Sequence, residues 1–342
     1  MLGVSDDTQD RRLAALRTWL QTIRPNREWS ISVASADASF RRYFRAQAQR
    51  QRFIVMDAPP DKEPVQDFVR VAGWLADWGV AAPRGHAVDA QSGFVLLDDL
   101  GDTVLLDRVG ADDAVPLLEQ SIDALVQLQA RAAGSRQLDA LPAYDVSFLA
   151  DEMALCPQWF LQVHFGVSLS GDQQTMIAQQ FELITRAVAA QPRGFVHRDY
   201  HSRNLMVGEG RLRGMLDFQD AMHGPLSYDI VSLLRDCYVI WPEHVQRNGL
   251  ERWATGLADA GVWAAVPGDL QRWFDFTGMQ RHLKVLGIFC RLHHRDGKAG
   301  YLPDLPRVMD HLLTVMARYS ELDALRALLT PFRSRLQAEV DS

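Results

Sequence analysis

The sequence predicts an α+β fold in which a small antiparallel-sheet lobe, residues 1–100, precedes a larger, mostly helical lobe, residues 101–342. Three observations carry this. Short apolar runs separated by polar turns crowd residues 29–57, long helical patterns dominate after about residue 102, and "FVHRDYHSRNLMV", residues 195–207, sets His, Arg, Asp and Asn between two apolar segments. At 342 residues and 47% apolar composition, the chain can bury a large core divided between two lobes.

The elements follow in order. Residues 11–23 place Leu13, Leu16, Leu20 and Ile23 on one face of an amphipathic helix. "WSISV" alternates Trp29, Ile31 and Val33; "FRRYFRA" carries Phe40, Tyr43 and Phe44; "RFIVMD" follows the polar turn "QAQRQ". Together they read as a three-stranded antiparallel meander. "EPVQDFVRVAGWLADWGV" puts Val65, Phe68, Val69, Ala72 and Leu75 at helical spacing, with Gly79 near its end. "GFVLLDDLGD" is one more buried strand entering a turn. No internal repeat or low-complexity linker interrupts the chain.

Charge and cysteine content exclude several function classes. A formal charge of -7 without a block of like charges argues against nucleic acid or an anionic membrane as partner. No run is long enough to span a membrane, and the acidic N-terminus does not read as a secretory signal, so a cytoplasmic protein, expected to be a monomer, is predicted. Cys156, Cys237 and Cys290 are far apart and read as core thiols. Lysine is scarce: Lys62, Lys284 and Lys298 are the only three.

The chemistry concentrates in one stretch. "HRDYHSRN" fits the pattern H-R-D-x-x-x-x-N, in which the Asp takes the proton of an acceptor hydroxyl and the Asn holds a magnesium ion. Shortly after it, "RGMLDFQD" reads as a short strand ending in Asp-Phe, where such enzymes place a second metal-binding carboxylate. The predicted base is therefore Asp199 and the metal ligands are Asn204 and Asp217, expected on a single β-hairpin. A zinc reading of His197 and His201 fails because Arg198 stands where a catalytic Glu is needed and the site lies between strands. The chain moves within a few residues of "DFQD" into a helical pattern, leaving no platform for a peptide, so a small-molecule acceptor is expected.

On these residues the chain resembles the aminoglycoside phosphotransferase-like, or choline kinase-like, branch of the two-lobed protein kinase-like fold, most strongly from Phe195 to Asp236. The resemblance implies ATP and Mg2+ as cofactors, and it assigns Asp229 of "SYDIVSLL" to bracing the catalytic loop, with His197 also structural. "HRDYHSRNLM", "LDFQDAMHGPLSYDIVSLLRDCY" and "RLHHRDGKAGYLPDLPRV" are similar, more narrowly, to the bacterial N-acetylmuramate/N-acetylglucosamine anomeric kinases of peptidoglycan recycling. That likeness implies an amino-sugar acceptor phosphorylated on its C1 hydroxyl. His201, Arg203 and Gln219 flank the predicted base and metal residues and are expected to meet the sugar. Arg295 and Lys298 of "HHRDGKAGY" suit an acidic substituent, although a solvated turn around Gly297 explains them equally well. Asp236 offers a hydroxyl acceptor and Trp241 a stacking face or a core residue.

The N-terminal lobe departs from the kinase pattern twice. The turn between the first two strands, "SADASF", has no glycine, so Ser35, Ala36 and Ser39 are the residues whose backbone would approach phosphates. Met56 stands near where a phosphate-pairing lysine belongs. Arg42 or Arg45 is expected to replace it, oriented by Glu63 or Asp67, because a guanidinium reaches two phosphate oxygens at once. The fold implies adenine contacts near Asp98, Asp99 and Leu100. Two alternatives stay open: a pseudokinase that binds without transferring phosphate, and a cationic aminoglycoside or choline acceptor.

Overall fold

The computed structural model describes residues 6–36, 40–264 and 268–341, with side chains described from Arg11 onward except those of Ser35 and Ala36. Ser39 lies outside the described residues. The chain divides into two compact units: residues 1–103 with 206–209 and 213–220, and the remainder.

In the first unit, α1 (Asp6–Ile23) precedes β1 (Ser30–Ala36), β2 (Arg42–Ala48) and β3 (Gln51–Asp57), followed by α2 (Gln66–Asp77), β4 (Gly85–Asp89) and β5 (Phe94–Asp98). These strands form one antiparallel sheet ordered β1-β2-β3-β5-β4. The period of two decides its faces. Phe44 and Ala46 of β2, Val55 of β3 and Phe94 and Leu96 of β5 all point to one face, against Leu16 and Leu20 of α1. Both leucines are fully buried, each worth roughly 1.5–3 kcal/mol. Met56 points to the other face and is fully buried, so that strand position serves packing. The edge strand β4 is absent from the sequence-based reading: "GHAVD" is short and mostly exposed, with no alternating apolar signal. Gly93, in the turn before β5, has φ +75°, and a Cβ there would lie 1.8 Å from the Ala58 carbonyl oxygen.

Strand β6 (Thr103–Val104) leads in sequence to the second unit. There α3 (Ala114–Ala132), α4 (Val146–Leu155), a π-helical segment over 156–164 and α5 (Gly171–Ala189) precede the strands β7 (Arg193–Val196), β8 (Leu205–Gly208), β9 (Arg211–Met215) and β10 (Met222–Pro225). The helices α6 (Ser227–Leu234), α7 (Glu243–Asp259), α8 (Leu270–Asp296), α9 (Leu305–Met316) and α10 (Asp323–Val340) complete it. Its core draws Met153, Phe181, Leu283, Leu286, Leu312 and Leu329 from five of these helices. At Gly287 the α8 backbone passes so close to α4 that a Cβ would lie 2.3 Å from the Leu155 carbonyl carbon.

The expectation of a single hairpin needs correction. β7 pairs antiparallel with β10, Val196 opposite Met222, while β8 turns into β9 through Glu209 and Gly210, both at positive φ. The loop between β7 and β8 is therefore framed by two strand pairs. Its partner β10, "MHGP", was too short to be legible. Among the described residues no helix is long and apolar enough to cross a membrane, and all three cysteines are free and buried.

Candidate active site

β7 delivers the chain into the 197–204 loop, and two carboxylates fix its path. Asp229, in the first turn of α6, accepts from the backbone N–H of His197 at 2.7 Å and of Arg198 at 3.0 Å. Asp236, just past α6, accepts from Ser202 N–H at 2.8 Å and Tyr238 N–H at 2.9 Å. Each such bond to a charged acceptor contributes about 1.5–3 kcal/mol. Burial pushes the Asp229 carboxyl up to about 7, against the pull of its two amide donors. The brace is what lets Arg198 sit at φ +77°, a conformation that costs a non-glycine residue energy. His197 is fully buried with its ring edge-on to Tyr200. Asp236, expected to meet the acceptor, is instead spent on backbone donors, because a buried carboxylate needs them.

Inside this frame, the Asp199 carbonyl accepts from His201 N–H at 3.0 Å and Asn204 Nδ2 at 2.9 Å. The Asp199 carboxylate itself accepts no hydrogen bond from the described side chains, which leaves its lone pairs for a ligand. Burial works against its charge, but Lys284, Arg198 and Arg281, with His201, hold the carboxyl below the ordinary carboxylate range. His201 is itself pushed down by burial. Those cations belong to one buried network. Glu152 of α4 accepts from Arg198 at 2.9 Å, Lys284 at 2.6 Å, Gln280 at 3.1 Å and the Tyr144 hydroxyl. Arg281 donates to the Arg198 carbonyl at 3.0 Å and lies 4.6 Å over the Tyr228 ring.

Asp199 and His201 open on a cavity of about 180 Å³ lined further by Tyr238, Arg281, Lys284, Phe289 and Tyr301. Its apolar wall is the α8 face that adds Val285, Ile288 and Leu292. Arg203, exposed, lies 3.7 Å over the Tyr238 ring. Arg295 and Lys298 do not line this cavity: Arg295 pairs with Asp296 at 2.8 and 2.9 Å, and Lys298 follows the left-handed Gly297 that caps α8, its N–H donating to Leu292. The solvated-turn reading accounts for both. Arg281, Lys284 and the aromatic wall were missed by sequence reasoning. The available signal was a scarce lysine, three residues after an arginine, in the middle of a long helix.

In the first unit, Phe218 is fully buried against Phe68 at 4.9 Å, anchoring the turn in which Asp217 adopts φ +63°. Gln219 donates to Asp217 at 2.7 Å and Asp220 at 3.2 Å, so it orders the carboxylate, and its buried Oε1 has no partner among the described residues. Arg42 pairs with Asp57, as Arg12 does from α1. Arg45 holds Asp99 through Nε at 2.7 Å and also reaches Gly101 O and Asp102. Burial would raise Asp99, but Arg45 and the Gly101 N–H hold its carboxyl below the usual range. Glu63 pairs with Arg41 at 2.6 Å, and Asp67 with Arg70; neither orients Arg42 or Arg45, as had been expected. Asp98 is tied to the Arg84 N–H and His86, and the Leu100 side chain lies over Gly214. Ser35 and Ala36 end β1.

The donor chemistry fits magnesium. Asn204 commits its amide nitrogen to the Asp199 carbonyl, which orients its oxygen as the ligand atom, and Asp217 offers carboxylate oxygens. No cluster of three or more His, Cys, Asp or Glu able to hold a metal occurs among the described residues.

Comparison with known proteins identifies the family. Residues 30–268 match the phosphotransferase enzyme family. The N-acetylmuramate/N-acetylglucosamine kinase of Pseudomonas aeruginosa is 43% identical over 94% of this chain and 97% of its own length. That of Neisseria meningitidis is 42% identical over 93% and 95%. Among solved structures, choline kinase LicA from Streptococcus pneumoniae superposes with a TM-score of 0.60 at 10% identity, covering 89% of this chain and 99% of that one. The GDP complex of aminoglycoside 2'-phosphotransferase-IIIa gives 0.59 at 14% identity, covering 89% and 98%. These likenesses establish the two-lobed protein kinase-like fold, and the chain belongs to the phosphotransferase enzyme family.

Proposed function

We propose that this chain transfers the terminal phosphoryl group of ATP to the C1 hydroxyl of N-acetylmuramate and N-acetylglucosamine, a salvage step of peptidoglycan recycling in the cytoplasm. One observation carries the reading: an ionised Asp199 with unoccupied lone pairs, held by a braced loop, opens on a cavity of monosaccharide size walled by aromatic and apolar side chains. Extensive identity to two kinases of that name supports the acceptor. A pseudokinase has no use for a base kept both ionised and unpaired. A cationic acceptor fits poorly beside Arg203, Arg281 and Lys284.

In this reading Asp199 orients the acceptor hydroxyl and takes its proton as the sugar oxygen bonds to the terminal phosphorus. The bond from that phosphorus to the bridging oxygen breaks, and ADP leaves with the electron pair. Asn204 and Asp217 are the residues proposed to hold Mg2+, which when bound would neutralise phosphate charge. Arg45, with Arg42 as alternate, is the proposed cation for the nucleotide phosphates; each is ordered by an acidic partner, as a clamp has to be. Ser35, Ala36 and Ser39 are the proposed backbone contacts to phosphate, and Asp98 to Leu100 the adenine edge. The anomeric hydroxyl is the most acidic on the sugar, because the ring oxygen withdraws charge from C1, and it suits a weak carboxylate base.

Blocking that hydroxyl tests the reading. With ATP and Mg2+, both free sugars should be phosphorylated, and their methyl glycosides, which keep every other hydroxyl, should be inert. Comparable turnover of a methyl glycoside would move the acceptor to another hydroxyl and overturn the anomeric assignment.

A further inference from the structure

Two cations, Arg281 and Lys284, line the cavity beside Asp199; Arg198 precedes that base in the chain and Arg203 stacks on a wall residue, and three of the four are occupied. Lys284 is bound to Glu152 at 2.6 Å and to the Tyr228 hydroxyl at 3.2 Å. Arg281 is buried, donates to the Arg198 carbonyl and lies on the Tyr228 ring. Arg198 is held by Glu152. Arg203 differs from all three. Among the described residues it has no carboxylate or carbonyl partner; its only neighbours of note are two rings of the cavity wall, Tyr238 at 3.7 Å and Tyr301 at 6.0 Å.

A guanidinium stacked at that distance on an aromatic ring is held by its face. Its five N–H donors lie at the edge of the plane, in the fork geometry that matches a carboxylate. Stacking on Tyr238 therefore fixes the fork's orientation before any ligand arrives, which removes part of the entropic cost of capturing an anion. The wall it stands on belongs to the same cavity as Asp199, so the donors and the base address one ligand. Of the two sugars proposed as acceptors, one carries a lactyl carboxylate on C3, two ring carbons from the reacting C1, and the other has a neutral hydroxyl there. Arg295, also considered for such a group, is already paired with Asp296.

We propose that Arg203 is the residue that sets acceptor preference, receiving the carboxylate of an acidic amino sugar while Asp199 works at C1. The proposal rests on the amino-sugar reading, and it places the distinction between the two sugars in binding of the ground state, not in the chemical step.

The test is the ratio of kcat/KM for N-acetylmuramate to kcat/KM for N-acetylglucosamine, measured in the wild-type enzyme and in Arg203→Gln with saturating ATP and Mg2+. Losing a charge-assisted fork should lower this ratio about tenfold, the change residing in KM for the acidic sugar. Raised salt should increase that KM in the wild type and do little in Arg203→Gln, and Arg203→Lys should fall between them. Because Arg203 is exposed, its melting temperature should stay near that of the wild type. An unchanged ratio, with both sugars affected equally or neither affected, overturns the proposal. If the wild-type chain phosphorylates neither sugar, the amino-sugar reading itself fails and this proposal falls with it; that outcome is distinct, because it is seen before any substitution is made.

Discussion

The 197–204 loop and the β1–β3 sheet both use buried carboxylates, but in opposite senses. In the loop, Asp229 and Asp236 are spent on backbone N–H groups, which fixes the main chain and leaves the Asp199 carboxylate unpaired. In the sheet, Asp57 and Asp99 are spent on arginine side chains, which leaves the cations already paired. A base has to arrive free, since a hydrogen bond to its lone pairs competes with the proton it is to take. A phosphate clamp has to arrive ordered, and a carboxylate partner orders it at the cost of some of its charge. The two constructions predict different failures: substitution should collapse the loop, but only weaken the sheet's hold on a nucleotide.

The largest effect is expected at Asp229. Asp229→Ala strands the N–H groups of His197 and Arg198 in a buried place, and the loss should be about 3–5 kcal/mol of stability, together with most of the turnover. Denaturant unfolding and steady-state kinetics on the same sample check this. Full activity in a variant destabilised by less than about 1 kcal/mol would mean that the loop holds its shape without the brace.

Next comes acid sensitivity of the helical unit. His282 and His311 stack at 5.3 Å, and burial with Arg235 nearby pushes His311 down to about 4 and His282 well below its ordinary value. Both rings are therefore neutral in the folded chain. Between about 6.5 and 4 the unfolded chain takes up a proton that folded His311 refuses, so stability is complete above that window and falls through it, by about 3 kcal/mol for His311 alone. Asp229 has the opposite slope, because its carboxyl is raised, and its contribution is present at low pH and lost as pH climbs through about 7. Comparing the wild type with His311→Phe at pH 7.5 and pH 5 isolates the histidine: the variant should lose less stability on acidification. Equal losses would remove His311 from the account.

The smallest effect of the three is expected in the sheet. Arg45→Met should raise the ATP Michaelis constant about tenfold, the cost of one charge-assisted contact. If the melting temperature falls while ATP kinetics stay unaltered, Arg45 serves Asp99 alone, and Arg42 with its Asp57 partner becomes the residue to substitute.

What could be read from sequence follows the same contrast. Asp199, Asn204 and Asp229 could be proposed because the loop is written in one short motif and Asp229, which accepts from its backbone, follows within one helix. The meander was legible from its period-two pattern, and α1 from its leucine spacing. Arg281 and Lys284 were not, because what brings them to Asp199 is the packing of α8 against α4 at Gly287, a contact between residues far apart in the chain. Asp236 and Arg295 were misread for a related reason. A charged residue near a catalytic motif looks the same in sequence whether it faces a ligand, caps a backbone or ends a helix, and only the fold distinguishes these. β4 and β10 carry too few apolar residues to announce themselves.

The most direct test of the account is single-turnover phosphoryl transfer by Asp199→Asn with both substrates saturating and the ATP affinity measured alongside. The amide keeps the shape of the side chain and removes the base. If the braced loop exists to present a free carboxylate, the transfer step should slow by about a hundredfold or more while ATP affinity stays within about threefold. A transfer rate near that of the wild type would contradict the account, because the acceptor proton would then be leaving by a route that does not involve Asp199.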